Sequence, residues 1–286
     1  MNNLIRRCKY QAMKTLAIYN PKGGVGKSTT TVNLADGFAR RGLQVLVVDL
    51  DPQSNTSNTI TGVSPRKLHL TGFSMIEDPN IPIVECIHET VFENVHILPM
   101  VMKLRKLEPE LWRRDTDYLR IRLARVAEFY DICLIDCPPN LGKLTMMGLV
   151  AASHYLTPIK SADRYSLDGF DDLTETVAEV QREKNKELRY LGALLTMHDG
   201  RSNISKLIAS DLESKVGDHI LSNSIPQSVK INECIDAKKS IFALDANSSV
   251  GLAFARLVKE IMVKMGYIDH DDSDTGNSQP DEVNGE

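Results

Sequence analysis

The residues with the clearest chemical purpose lie in one run, NPKGGVGKSTT, from Asn20 to Thr30. Glycines at 23, 24 and 26 let backbone N–H groups turn inward around an anion with no Cβ in the way. A helix starting just beyond them would aim its positive N-terminal end at the same anion. Lys22, Gly23, Gly24, Val25, Gly26, Lys27, Ser28 and Thr29 therefore read as a phosphate-binding loop. In such a loop Lys27 reaches the β- and γ-phosphates, and Ser28 offers its hydroxyl to Mg²⁺. The usual G-x-x-x-x-G-K-S/T pattern is not fully met: its first glycine falls on Pro21, and a second lysine, Lys22, opens the loop.

Three carboxylates follow in the order that phosphoryl transfer needs. Asp49 and Asp51 lie in VVDLDPQSN, and Asp136 ends the apolar run of ICLIDCPP. A lone aspartate at a strand end is more often a turn former or cap. Here all three accompany a phosphate loop. Asp136 matches the Walker B carboxylate that holds Mg²⁺ through water. Asp49 is expected close to the Mg²⁺ and the loop.

These residues need a scaffold that brings strand ends together. Thr15–Asn20 reads as a strand, and about 27–40 as a helix with Leu34, Ala35 and Phe38 on one face, stopped near Gly42. Gln44–Asp51 is continuously apolar, as a strand covered on both faces must be. Further strands are expected at Val95–Met100, Tyr130–Pro139, His154–Ile159, Tyr190–Met197 and His219–Pro226. Helices are expected at about 115–129, 166–184, 203–216 and 249–265. This alternation predicts an α/β fold: a single P-loop domain over 14–267 with a mostly parallel, doubly wound sheet and helices on both faces.

The ends differ from this body. Residues 1–13 form a basic extension carrying Arg6, Arg7 and Lys9. From Asp269 to Glu286 there are seven acids and no lysine or arginine, so 268–286 is expected to be an acidic, disordered tail. Removing those seven negative charges turns the net −4 into +3, so the overall charge says little against nucleic-acid binding by the body. No apolar run approaches the roughly 18 residues that span a bilayer, and the N-terminus lacks a secretory apolar stretch. A cytoplasmic location is expected. The five cysteines are scattered, with no CxxC pair; Cys133 and Cys137 share one face of a buried strand and read as small hydrophobes. No histidine spacing points to a catalytic transition metal.

The loop KGGVGKST, with its early lysine, resembles the deviant Walker A motif of the ParA/MinD family, and the resemblance runs from about residue 15 to 266. It implies ATP and Mg²⁺ as cofactors and slow, partner-stimulated hydrolysis of ATP. It also implies an ATP-dependent homodimer in which Lys22 reaches the other subunit's phosphates while Lys27 serves its own. The match of DLDPQ implies that Asp51 orients the attacking water. Farther on, LLTMHDGRSNISK and SIPQSVKINE resemble the Soj/ParA partition branch. There the positions of Arg201 and Lys230 contribute to sequence-independent binding of double-stranded DNA. Lys206, Lys238 and Lys239 could extend that patch, and Pro226 would lie on the adenine side. The family often has Arg-Asn where this chain has Gln227 and Ser228, which removes one charge.

The resemblance thus implies a nucleoid-associated ATPase that partitions plasmid or chromosome DNA with a ParB-like adaptor. The same cycle could instead position a protein cargo. Only about a dozen residues precede the first strand, so no helix-turn-helix is expected there and operator-specific repression is not. A MinD-like membrane cycle would need a basic, amphipathic C-terminal helix, where this chain is acidic; no membrane partner is expected. A reductase like the nitrogenase iron protein needs two cluster cysteines on separate interface loops, unlike Cys133 and Cys137. A non-catalytic scaffold would lack Asp51, which is present.

Overall fold

The computed structural model describes residues 12–100, 108–162, 167 and 169–269. Most of the basic extension, with Arg6, Arg7 and Lys9, and the acidic tail from residue 270 lie outside the described residues. The strands are β1 (Lys14–Ile18), β2 (Val45–Asp49), β3 (His88–Glu89), β4 (Val95–Pro99), β5 (Ile132–Asp136), β6 (His154–Lys160) and β7 (Arg189–Thr196). The α-helices begin with α1 (Lys27–Ala39), α2 (Asn55–Ile60), α3 (Gly72–Glu77), α4 (Glu108–Arg113) and α5 (Tyr118–Leu123). They continue with α6 (Lys143–Ala151), α7 (Phe170–Glu183), α8 (Asn203–Val216), α9 (Lys230–Ala237), α10 (Ile241–Asp245) and α11 (Ser249–Lys264).

The seven strands form one sheet in the order β3-β4-β2-β5-β1-β6-β7. Every pairing is parallel except that of the short edge strand β3 with β4. Along β1, β2, β4 and β5 alternate side chains sort to two cores, as the period of two requires. Leu16, Ile18, Val45, Val47, Ile97 and Leu134 pack with Phe38 of α1 and Phe254 and Leu257 of α11. Ala17, Tyr19, Leu46, Val48, Cys133 and Ile135 pack on the other face with Leu119, Leu149 and Val177 of α5, α6 and α7. Burial on both faces is why these strands read as unbroken apolar runs. The doubly wound, mostly parallel fold is therefore as the sequence predicts, and Cys133 and Cys137 are buried with free thiols.

Some expected elements differ. His219–Pro226 does not form a strand; beside isolated bridges at Ala193–Ile220 and, just beyond β7, His198–Pro226, it meets β7 through the Leu221 N–H on the Ala193 carbonyl (2.9 Å) and the Ile225 N–H on the Leu195 carbonyl (2.8 Å). The Glu260 carboxylate accepts the N–H groups of Ser222 (2.7 Å) and Asn223 (3.1 Å), so the middle of the segment turns toward α11 rather than β7. The helix expected over 115–129 shrinks to α5 plus a 3₁₀ turn at Ala127–Phe129. The helix expected from 166 starts, in the described residues, at Phe170.

Candidate active site

Chain order and strand order part company around β1, which pairs with β5 on one side and β6 on the other. Such a sheet leaves a crevice at the C-terminal strand ends where the winding reverses. The loop after β1 runs there. Asn20, just past the strand, organises it: Nδ2 donates to the Pro158 carbonyl (2.8 Å), and Oδ1 accepts the Lys22 N–H (2.8 Å). Gly24 (φ +72°) and Gly26 (φ +89°) occupy the left-handed region that favours glycine. A Cβ added at Gly23 or Gly24 would meet nothing within 4 Å, so the loop is an open cradle. Gly26 opens α1 with no side chain capping it and no acid in the first turn. That leaves α1's first-turn N–H groups and its dipole free to meet an anion.

Lys27 is bent back over the loop. Its Nζ donates to the carbonyls of Asn20 (3.0 Å) and Lys22 (2.9 Å). The side chain is buried, which lowers its pKa, while the charges of Asp136 and Asp51 hold it up. Ser28 and Thr29 are half-buried on the same first turn.

The carboxylates gather beside it. Asp49 and Asp136 sit opposite each other in the β2–β5 register, and both are fully buried. Burial raises both pKa values; the charge of Asp136 raises that of Asp49 further and the charge of Asp51 that of Asp136, while hydrogen bonds from Ser57 to Asp49 and from Thr56 to Asp136 oppose the rise. Asp49 Oδ2 accepts the Ser57 N–H (2.7 Å) and Oγ–H (2.6 Å), and its Oδ1 accepts the Asp51 N–H (3.2 Å). Asp136 Oδ2 accepts Thr56 Oγ1–H at 2.6 Å, whereas its Oδ1 is buried with no hydrogen-bond partner among the described residues. An ionised acceptor left bare at that depth is costly, and a hydrated cation beside Ser28 is the group that fits it. Asp51 accepts the Gln53 N–H (2.9 Å) at the start of the turn that leads into α2.

The far edge carries the remaining candidates. Pro226 bridges to His198 just beyond β7. Arg201 is exposed in the turn before α8, its N–H bonded to Asp199 Oδ1 (3.0 Å). Lys230 opens α9, but its Nζ lies 3.1 Å from Glu233 and 3.8 Å from Asp245. Lys206, Lys238 and Lys239 are exposed. Spacing did not flag Asn20, Thr56, Ser57 or Thr196, whose hydroxyl donates to the Val25 carbonyl at 2.8 Å. The polar run Ser54–Thr59 directly after Asp51 is the one signal that could have found two of them.

Residues 13–190 match the family described as AAA domain. Among curated relatives, the chromosome partitioning protein ParA of Myxococcus xanthus is 34% identical over 254 residues, covering 87% of this chain and 88% of the relative. The chromosome-partitioning ATPase Soj of Thermus thermophilus is 34% identical over 254 residues, covering 88% of this chain and 97% of the relative. Among solved structures, cobyrinic acid a,c-diamide synthase from Mycobacterium smegmatis with bound ATP analog and magnesium superposes with a TM-score of 0.78. It is 27% identical, over 89% of this chain and 96% of that one. One fold serves several reactions, so the partition relatives carry the assignment. With identity above 30% sustained over 87% of its length, the chain belongs to the ParA/Soj family of P-loop ATPases.

Proposed function

We propose that this chain is a partition ATPase that binds ATP and Mg²⁺, pairs with a second copy around the nucleotide, and in that state holds duplex DNA non-specifically. A ParB-like adaptor then stimulates hydrolysis and release, and the cargo is plasmid or chromosome DNA. The observation that carries the reading is the buried, unpartnered Asp136 Oδ1 beside Lys27 and an open glycine cradle. No group among the described residues satisfies that oxygen, and a nucleotide-bound cation would.

Gly23 to Thr29 bind the phosphates through backbone N–H groups, and Lys27 swings from its two loop carbonyls to the β- and γ-phosphates. Asp136 and the Ser28 hydroxyl would hold Mg²⁺, which when bound would supply positive charge beside the phosphates. Both oxygens of Asp49 already accept hydrogen bonds, so its part is to set the charge around Asp136. Asp51 orients the water that attacks the γ-phosphorus as ADP leaves. Lys22 adds charge from the partner subunit, which is why dimerisation and hydrolysis go together: phosphoryl transfer is catalysed largely by positive charge placed around the γ-phosphate. Arg201 contacts DNA phosphate from each subunit, which gives affinity without sequence information. Lys230 contributes less than its charge suggests, because Glu233 and Asp245 already neutralise it. Pro226 lies on the adenine side.

The test is duplex DNA binding with ATP, with ADP and without nucleotide, at two salt concentrations. Binding that appears with ATP and weakens with salt is expected. Equal binding, or none, in all three states removes the DNA-coating reading.

A further inference from the structure

β7 ends at Thr196, and this residue touches the phosphate loop. Its hydroxyl donates to the Val25 carbonyl at 2.8 Å from a side chain only 4% exposed. Its side-chain atoms lie 3.7–3.8 Å from where a Cβ on Gly26 would stand. A hydroxyl has one proton to give, and the next acceptor, the Ile159 carbonyl, is farther away at 3.2 Å. Val25 and Gly26 form the crest from which α1 springs, so Thr196 fixes the height of the loop over the sheet.

The five residues beyond Thr196 carry little slack. The Thr196 carbonyl accepts the Ser161 N–H at 3.0 Å. Met197 is held at φ +49°, in the left-handed region that a methionine occupies only at a cost. The His198 N–H donates to the Ile225 carbonyl (2.9 Å), and its Nδ1 lies 3.0 Å from Ser161 Oγ. Asp199 then takes the N–H groups of Arg201 and Ser202, each at 3.0 Å, and α8 begins at Asn203. One hydrogen bond and the four residues 197–200 thus separate a phosphate-loop carbonyl from the exposed arginine. Strain that persists between two sites is where a two-state element can be stored.

We infer that Thr196 is a positioning residue through which the phosphate loop and the Arg201 turn move together, coupling nucleotide state to DNA contact. This rests on the DNA-binding reading of Arg201. When the loop closes on phosphate, the Val25 carbonyl moves with it, and the Thr196 hydroxyl carries that shift into the strained Met197 and the turn. Linkage makes the effect reciprocal: DNA tightens ATP by the factor by which ATP tightens DNA. A single neutral hydrogen bond carries a coupling of roughly 3- to 10-fold.

The experiment measures affinity for a non-hydrolysable ATP analogue with and without duplex DNA, alongside thermal midpoints. Four proteins are compared: the unaltered chain, Thr196→Val, Thr196→Ser and Met197→Gly. DNA tightens the analogue for the unaltered chain and for Thr196→Ser, which keeps the hydroxyl. Thr196→Val, of equal volume, keeps its thermal midpoint but loses most of the coupling. Met197→Gly keeps analogue affinity in the absence of DNA yet loses coupling, because glycine relaxes the link. Undiminished coupling in a folded Thr196→Val, or equal loss in Thr196→Ser, overturns the assignment. If Thr196→Val fails to fold, full coupling in Met197→Gly overturns it instead. Should the unaltered chain bind DNA alike with and without nucleotide, the DNA reading itself fails, and Thr196 has no coupling to carry.

Discussion

Asp49 and Asp136 face one another across β2 and β5 with no solvent between them and the core. Burial, with repulsion from Asp136 at Asp49 and from Asp51 at Asp136, raises both pKa values from 3.8, Asp49's to about 8. Between those limits the folded protein holds more protons than the unfolded chain, so this pair's contribution to stability is present at low pH and lost as pH rises. The nucleotide-free thermal midpoint of the unaltered chain should fall by roughly 2–5 °C more than that of Asp49→Asn between pH 5 and 8. The difference between the two proteins is the readout, because half-buried His154, its pKa lowered chiefly by burial, pushes the other way in both. A parallel pH profile for the two would mean that the pair does not titrate in this range. Asp51 has a different part: Asp51→Ala should bind ATP within about threefold of the unaltered chain and hydrolyse it at least ~10²-fold more slowly. Single-turnover rates measured beside nucleotide affinity check this, and a parallel loss in both would make Asp51 a binding residue. Lys27, Ser28 and the three aspartates were legible because phosphate chemistry fixes their types and spacing. Thr56 and Asn20 were not, because their partners, Asp136 and Pro158, lie 80 and 138 residues away and meet them only in the fold.

At the scale of elements, α1 decides where the loop stands, and its far side is tied to the C-terminal helices. Asn33 Nδ2 donates to the Thr29 carbonyl (2.8 Å), while its Oδ1 accepts the Ile241 N–H (2.7 Å). Asp36 accepts from the Ser240 hydroxyl and from Arg40 at 2.9 Å. Between these contacts Gly37 lets α11 approach: a Cβ there would lie 2.4 Å from Val258 Cγ2 and 3.0 Å from Phe242 Cε2. Gly37→Ala therefore sets two effects against each other. Helix propensity gains about 1 kcal/mol, whereas overpacking costs about 1–3 kcal/mol. With a contact of only 2.4 Å in a buried face the packing cost should win, leaving a net loss of about 1–2 kcal/mol in urea unfolding at unchanged m. A stabilised variant would mean that α11 yields and α1 is held mainly by the sheet. The strands under α1 were legible because burial on both faces writes them as apolar runs. The 219–226 segment misled for the complementary reason: its apolar ends look like a strand, but Glu260, on a helix 34 or more residues on, takes the amides a strand would need. Helices α9 and α10, eight and five residues long, are too short for periodicity to register them.

For the whole molecule, ATP-dependent pairing should double the cationic contacts on one DNA segment, so affinity should rise through multivalency. Salt dependence counts those contacts, because each neutralised phosphate adds about 0.9 to the slope of log affinity against log salt. Arg201→Ala should lower that slope by about 1.8 if both subunits engage and by about 0.9 if only one does. An unchanged slope would remove Arg201 from the interface. Lys230→Ala should change it less, since Glu233 at 3.1 Å already serves as its counterion and little is released when DNA arrives. Lys22→Ala separates pairing from the coupling within one chain: it should load ATP as a monomer and keep, with ATP, only the roughly 3- to 10-fold rise in DNA affinity that Thr196 carries. If Lys22→Ala instead showed the full ATP-dependent rise of the unaltered chain while monomeric in sedimentation, each protomer would carry a complete switch. All of the coupling would then run within one chain, from the loop through Thr196 to Arg201, with no need of the second copy.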